Sequence, residues 1–207
     1  MSACAMDRAS WKEEVLLHDG KKLTVERSQT YGGRHEIGQK PPVREQKLTF
    51  SLPGSSRSIT WKSEYSEDIG RANLNLLALH VLNGTPYIVT EPNLCLAYNK
   101  WGRPNPPYVF FRFDGKDWQR IPLSEFPAQF KSLNVMINTL GYEEDKNIKQ
   151  GDVSAATVRE LNSSLTQVEY KTIVRDPLPN SQLCPPELTG FKAPYPIPPK
   201  DVSRSKK

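Results

Sequence analysis

Hydrophobic and polar residues alternate along several short stretches in the first 120 residues of the chain. Leu23 and Val25 alternate with polar neighbours, and the stretches 47–52 and 58–62 repeat this pattern. A period of two is typical of a β-strand with one buried and one solvated face. Glycine suits the tight turns between such strands because it reaches positive φ freely. The sequence predicts four antiparallel hairpins, with turns at Asp19-Gly20, Pro53-Gly54, Asn83-Gly84 and Asp114-Gly115.

The stretch from Ser66 to Gly84 is compatible with two structures. Ser66 could cap a helix that ends at Gly84. The turn Asn83-Gly84 followed directly by the strand-like run 87–89 favours a hairpin instead. We expect the hairpin, and a helical turn before its first strand stays open.

After Phe126 the spacing of apolar residues changes to steps of three and four, which predicts one amphipathic helix. Asp152 or Ser154 can cap its start, and we expect the helix to pack on the sheet. The polar stretch 141–147 predicts a loop. The apolar stripe consists of Val158, Leu161, Leu165 and Val168.

Eight prolines follow Asp176, a density that excludes helix or central strand and predicts an extended tail. Its segment 194–200 could serve as a polyproline ligand for an aromatic groove, although a spacer explains it as well. The chain is thus predicted to be mainly β, an antiparallel sandwich or curled barrel. The predicted parts are a tether (1–10), a β-domain (11–130), a loop plus helix packed on it (131–175) and a Pro-rich tail (176–207).

The composition limits both the core and the classes of partner. Hydrophobic residues are 37% of 207 residues and the mean hydropathy is −0.60, enough for one modest core with polar loops. The net charge of +5 is spread among acidic residues without a long basic run, so we expect no nucleic-acid partner. No stretch approaches the roughly 20 apolar residues that span a bilayer.

Ser2-Ala3-Cys4 resembles the end of a bacterial lipobox, in which small residues precede a cysteine that receives a diacylglyceryl group. The apolar segment that precedes a lipobox is missing from the sequence as written, which a start codon placed too far downstream would explain. Ala5 after Cys4 resembles the pattern of lipoproteins sorted to the outer membrane. The alternative is an accidental cysteine in a frayed terminus.

The remaining cysteines, Cys95 and Cys184, could pair in an oxidising periplasm and hold the tail on the strand region. Cys95 could equally be a small buried hydrophobe. A cytoplasmic protein with reduced cysteines would place their Cα atoms beyond about 7 Å. No Cys-x-x-Cys occurs and the three histidines are scattered, so we expect no metal and no cofactor.

Three stretches, 82–89, 97–108 and 118–126, resemble an uncharacterised family of proteobacterial proteins. The resemblance extends from Trp11 to about Phe130. It implies a bacterial source, which favours the lipobox interpretation of Cys4, and it supplies no activity and no site residues.

The loop 29–38 carries the densest chemistry of the chain. Arg34, His35 and Glu36 offer a cation, an imidazole and a carboxylate, from which an acid/base pair could be drawn. Adjacent residues of an extended chain point to opposite faces, so His35 and Glu36 act together only if the loop bends. The alternative is a flexible connection between two hairpins.

The loop 98–108 is the second candidate. Tyr98, Trp101 and Tyr108 could form a platform for a sugar ring or a peptide, with Arg103 as a polar contact. The alternative is a proline-braced loop in which Trp101 covers the end of the sheet.

These features together predict a bacterial cell-envelope lipoprotein that faces the periplasm and acts by binding. Its expected partners are the membrane, through lipid on Cys4, and a glycan or an envelope protein. Two alternatives remain, a hydrolase that uses His35 and Glu36 and a cytoplasmic interaction protein.

Overall fold

The computed structural model describes residues 8–63, 65–137 and 142–185, and the chain is mainly β. The four predicted turns each join two antiparallel strands. The first strand begins at Arg8, so the predicted tether boundary at residue 10 lies inside it. The strands are β1 (Arg8–Leu16), β2 (Lys22–Tyr31), β3 (Val43–Ser51), β4 (Ser58–Ser63), β5 (Tyr65–Ser66), β6 (Arg71–Ala72), β7 (Leu74–Leu82), β8 (Thr85–Pro92), β9 (Val109–Phe113), β10 (Trp118–Ile121) and β11 (Asp152–Val153).

The strands form two large sheets and one short ribbon. The first sheet has the order β11-β1-β2-β3-β4, the second has the order β10-β9-β8-β7, and β5 pairs with β6. All these pairs are antiparallel except β1–β11, which is parallel. The ambiguous stretch is resolved as the strand β7 rather than a helix. Neither large sheet closes on itself within the described residues, so the curled barrel is wrong.

Inward-facing side chains of both large sheets belong to one hydrophobic cluster, as the alternating pattern predicts. Val15, Leu48 and Leu79 in this cluster are completely buried. A second cluster covers the other face of the four-stranded sheet, where Phe126 and Phe130 pack on Phe110 and its neighbours. The chain after β10 therefore covers the sheet face that the hairpins leave exposed.

The helices differ from the prediction in two places. The predicted loop 141–147 is wrong, because a helix begins at Tyr142 and buries Ile148 beside Trp11 and Val153. The predicted stripe to Val168 is interrupted after Ser163, and Val168 is 42% exposed. Ser154 accepts a hydrogen bond from the Thr157 amide at 3.1 Å and caps the third helix. The helices are α1 (Leu94–Lys100), α2 (Tyr142–Gln150), α3 (Ala155–Ser163) and α4 (Val168–Lys171).

The buried segment 134–137 has no regular secondary structure, and side chains satisfy its backbone. Glu13 accepts from the Met136 amide at 2.7 Å, and Arg27 donates to the Met136 carbonyl at 2.7 Å. Asn162 accepts from the amide of Ile137 and donates to the carbonyl of the residue before Met136. Buried polar residues from distant parts of the chain thus fix this segment under the sheets.

Candidate functional site

The two large sheets have chemically different ends. Residues from all four hairpin turns line two adjoining surface grooves, and we call this the tip end. The opposite end, which we call the open end, holds a cavity of about 230 Å³. This cavity is lined by Gln29, Pro42, Val43, Gln46, Arg71, Asn75, Glu91, Asn93, Leu94, Ile137 and Tyr170.

The strands bring polar side chains inward as they approach the open end. Gln29 and Gln46 stand at positions where the alternating pattern turns the side chain toward the interior, and both are buried. Gln46 donates to the Leu74 carbonyl at 2.6 Å, and the Leu74 amide donates to the Ser63 hydroxyl at 2.9 Å. These bonds fix the start of β7 beside the cavity.

Glu91 is the carboxylate of the cavity. It lies on β8 in register with Asn75, whose amide donates to Glu91 Oε1 at 3.3 Å. The Tyr170 hydroxyl lies 2.8 Å from both carboxylate oxygens. Burial raises the pKa of Glu91 from 4.5 to about 7, although the hydrogen bonds from Tyr170 and Asn75 oppose the rise. Burial, followed by the nearby Glu91 charge, also raises the pKa of Tyr170.

Arg71, on β6, brings a cation to the same cavity. Its side chain makes no hydrogen bond, ion pair or ring contact within residues 8–63, 65–137 and 142–185. Other arginines of the fold are engaged, as with Arg27 on Glu13 and Arg120 on the Trp101 carbonyl. The cavity therefore combines a carboxylate, a guanidinium that has no partner in the described ranges and several amides, a lining suited to a small polar ligand.

Leu94 borders the cavity in a strained conformation. Its φ is +65°, a region that non-glycine residues rarely occupy, and it is 61% exposed. The surrounding structure holds it there, because the Asn93 amide donates to the Asn73 carbonyl at 2.9 Å. Strain of this kind concentrates at binding sites, and Leu94 places an apolar side chain at this cavity.

The aromatic residues of the predicted platform face the interior. Tyr98 and Tyr108 are 5% and 3% exposed, and the Tyr108 hydroxyl donates to the Glu169 carbonyl at 2.8 Å. Trp101 is partly buried against the core and meets Phe111 edge-to-face. The rings therefore present little surface to a ligand, and Trp101 covers the end of the core as the alternative interpretation expected.

The chain's own C-terminal segment lies on the loop 98–108. Asn105 exchanges hydrogen bonds with the Leu178 backbone at 2.9 and 2.7 Å, and Arg103 donates to the Cys184 carbonyl. A disulfide joins Cys95 of α1 to Cys184, with Cα atoms 5.4 Å apart. The polar contact predicted for a ligand at Arg103 is thus made by the chain itself.

The loop 29–38 rests on the turn between β5 and β6. The Arg34 amide donates to the Gly70 carbonyl at 3.1 Å, and a Cβ on Gly33 would lie 2.3 Å from that oxygen, so only glycine fits. Asp68 of the same turn pairs with Lys100 of α1 at 3.0 Å, so the two predicted loops meet through this turn.

The acid/base pair predicted in this loop is not assembled among the described residues. Arg34, His35 and Glu36 are all exposed, and the Arg34 guanidinium reaches the Glu67 carbonyl at 3.4 Å. His35 Nδ1 lies 2.8 Å from the Gly33 carbonyl oxygen rather than against a carboxylate.

Two further features concern anchoring and metal binding. Cys4, the predicted acylation site, lies outside the described residues, as does the segment 194–200. Across the ranges that the structure describes, no helix is long and apolar enough to cross a membrane. In the same ranges, no three His, Cys, Asp or Glu side chains are grouped to hold a metal ion.

Sequence reasoning did not single out Glu91, Arg71 or Tyr170. The register offered one signal, because Glu91 continues the alternation of Tyr87 and Val89, which face the second cluster, at the end of a strand-like run. Comparisons with protein-family models, curated proteins and solved structures found no significant match to this chain.

Proposed function

We propose that this chain is a bacterial cell-envelope lipoprotein that faces the periplasm, is anchored by lipid on Cys4 and acts as a binding module. The observation that carries the proposal is the disulfide between Cys95 and Cys184. Disulfides persist in oxidising compartments and are rare in the cytosol, where thiols are kept reduced. The pairing therefore supports a location outside the cytoplasm.

The disulfide also supports a structural role for the proline-rich segment. It joins residues 89 positions apart, and closing a loop of that size stabilises a fold by on the order of 4 kcal/mol. The segment around Leu178 then lies on Asn105 and Arg103. A disulfide that holds this segment in place suits a domain that is exposed in the cell envelope.

The fold that we propose for this module is a two-sheet antiparallel β-sandwich with α3 as a C-terminal amphipathic helix docked on β1. Three observations support it. The two large sheets share one hydrophobic cluster, Val158 of α3 packs beside Trp11 of β1, and the Ala155 amide donates to Glu14.

Binding rather than catalysis is favoured by the residues at the open end. The cavity offers groups that hold a ligand, while His35 and Glu36 are exposed and separate from it. A hydrolase built on His35 would need a carboxylate beside its imidazole, and the nearest partner there is a carbonyl.

Two measurements on protein recovered from its own host test the proposal. Alkylation of thiols with a maleimide reagent should leave Cys95 and Cys184 unmodified until reductant is added. Mass spectrometry should show a diacylglyceryl adduct on Cys4, and the Cys4→Ala variant should leave the membrane fraction. Free Cys95 and Cys184 in freshly lysed cells would contradict the periplasmic location, and an unmodified Cys4 would contradict the anchor.

A further inference from the structure

We propose that the cavity at the open end binds a free α-amino acid, with the ligand's ammonium at Glu91 and its carboxylate at Arg71. This inference rests on the proposed binding function, for which it names a class of ligand. It follows from three properties of the cavity, which are acceptor sites and a cation left without partners by the part of the chain that the structure describes, and a small volume.

Glu91 has room for a further donor. An ionised carboxylate accepts about four hydrogen bonds. Tyr170 has one hydroxyl hydrogen to share between the two oxygens, and Asn75 supplies one amide donor to Oε1. As far as the described residues go, about half of the acceptor sites of Glu91 are therefore free for the N–H groups of an ammonium.

Arg71 provides the positive charge that pairs with the carboxylate of the ligand. Its guanidinium has no partner among the described residues, and it lines the same cavity as Glu91. A guanidinium binds a carboxylate through two parallel hydrogen bonds, which fixes the orientation of the ligand as well as its charge. A ligand with both charges satisfies both groups, whereas a ligand with one charge satisfies only one of them.

The volume limits the ligand to a small molecule. The cavity of about 230 Å³ is below the roughly 300–1,000 Å³ typical of drug-sized ligands. Its walls offer amides at Gln29 and Gln46 and apolar surface at Val43 and Ile137. The amides suit the polar backbone of an amino acid, and the apolar wall suits a short side chain.

The titration of Glu91 gives the proposal a second signature. The groups that act on Glu91 are Tyr170 and Asn75, which donate to it, and Glu169, whose charge raises its pKa. Its pKa of about 7 means that acidification protonates the carboxylate that must receive the ammonium. Affinity should therefore fall by roughly tenfold per pH unit below pH 7.

The test is a thermal-shift screen of the full chain at pH 8 with each proteinogenic α-amino acid at about 10 mM, followed by titration calorimetry of any that bind. We expect at least one to raise the Tm, and its methyl ester and N-acetyl forms to bind at least about tenfold more weakly. Absence of binding by every amino acid would overturn the proposal, as would equal affinity for either blocked form.

A matched pair of variants locates the site. Arg71→Gln lies on a short, partly exposed ribbon and should fold normally, yet weaken binding by roughly tenfold or more. Arg57→Gln removes an exposed cation from the tip end, at the opposite end of the sheets from this cavity, and should leave affinity unchanged. Equal affinity of the two variants would overturn the assignment to Arg71. The thiol and lipid measurements are independent of this result, so failure here leaves the envelope location standing, and the reverse holds as well.

Discussion

The tip end and the open end of the two large sheets differ in the residues that their strands turn inward. Near the tips, β2, β3 and β4 bury only apolar side chains, and toward the open end the same inward rows become polar. The apolar set is Leu23, Val25, Leu48, Phe50, Ile59 and Trp61, and the polar set is Arg27, Gln29, Gln46 and Ser63. The two sets meet in the middle of the sheet, where Arg27 lies in register with Leu48.

This difference shows that the alternating pattern of the same strands can bury apolar side chains along one part and polar side chains along another. Apolar burial is non-directional, so the tip end needs only matching volumes. Buried polar groups need specific partners, and at the open end these partners are the segment 134–137, the start of β7 and the residues around Glu91. The cavity is found where this second kind of packing is incomplete.

The largest effect is expected where a buried charge of the polar set loses its partner. Arg27→Met leaves the completely buried carboxylate of Glu13 without a cation, and removes the donor to the Met136 carbonyl. We expect the free energy of unfolding to fall by about 3–5 kcal/mol, measured by urea denaturation. The double variant with Glu13→Leu removes the uncompensated charge and should cost less than the two single changes added together. A loss below about 1 kcal/mol for Arg27→Met would contradict the comparison.

In the apolar set the loss of stability should depend on volume instead. Leu48 is completely buried within the shared cluster, and Leu48→Ala leaves a cavity there. We expect a loss of about 3 kcal/mol in the same measurement. The control Leu48→Met conserves volume and should cost less than about 1.5 kcal/mol. If Leu48→Met were as harmful as Leu48→Ala, packing in the apolar set would be as specific as in the polar set.

The sequence predicts the tip end well because its signals are local. Glycine turns and period-two alternation identify the hairpins, and Asn83-Gly84 decides the ambiguous stretch before it. The open end depends on partners far along the chain, since Arg27 and Met136 are 109 residues apart. Alternation indicates that Arg27 faces inward, but no local pattern identifies what it meets there.

The candidate sites show the same limit. The loop 98–108 is rich in aromatic residues, yet the Tyr108 hydroxyl donates to the backbone of α4 and Arg103 donates to the Cys184 carbonyl. The polar helix α2 was predicted as a loop because its composition carries little apolar signal. Ile148 anchors it beside Trp11 and Val153. Glu91 has a neighbour in Tyr170, which is 79 positions away.

An effect of intermediate size is expected in the pH dependence of the free energy of unfolding. Glu91 has a pKa raised to about 7, so the unfolded chain releases this proton first and stability falls as pH rises from about 4.5 to 7. Burial lowers the pKa of His80 from 6.5 to about 4, which gives the opposite slope over much of this range. The two slopes therefore oppose each other in the unmodified protein.

Glu91→Gln removes the contribution of Glu91 to the pH dependence of stability. We expect the variant to gain roughly 2–3 kcal/mol relative to the unmodified protein between pH 4.5 and 7.5, with urea midpoints measured at each pH. Glu26→Gln makes the same chemical change at an exposed position of β2 and should give a profile parallel to that of the unmodified protein. Parallel profiles for both variants would show that Glu91 does not titrate as a buried group.

The smallest effect is expected for an ion pair on the same two strands as Glu13 and Arg27 but on their solvated face. Lys22 lies 3.0 Å from Glu14, with the two side chains 58% and 35% exposed. Lys22→Met should change the free energy of unfolding by less than about 0.5 kcal/mol, because water replaces the lost partner of Glu14. Glu14 also accepts from the Ala155 amide, which keeps it in place. A loss of stability comparable with that of Arg27→Met would mean that the presence of a charge pair on these strands, and not its burial, determines the loss.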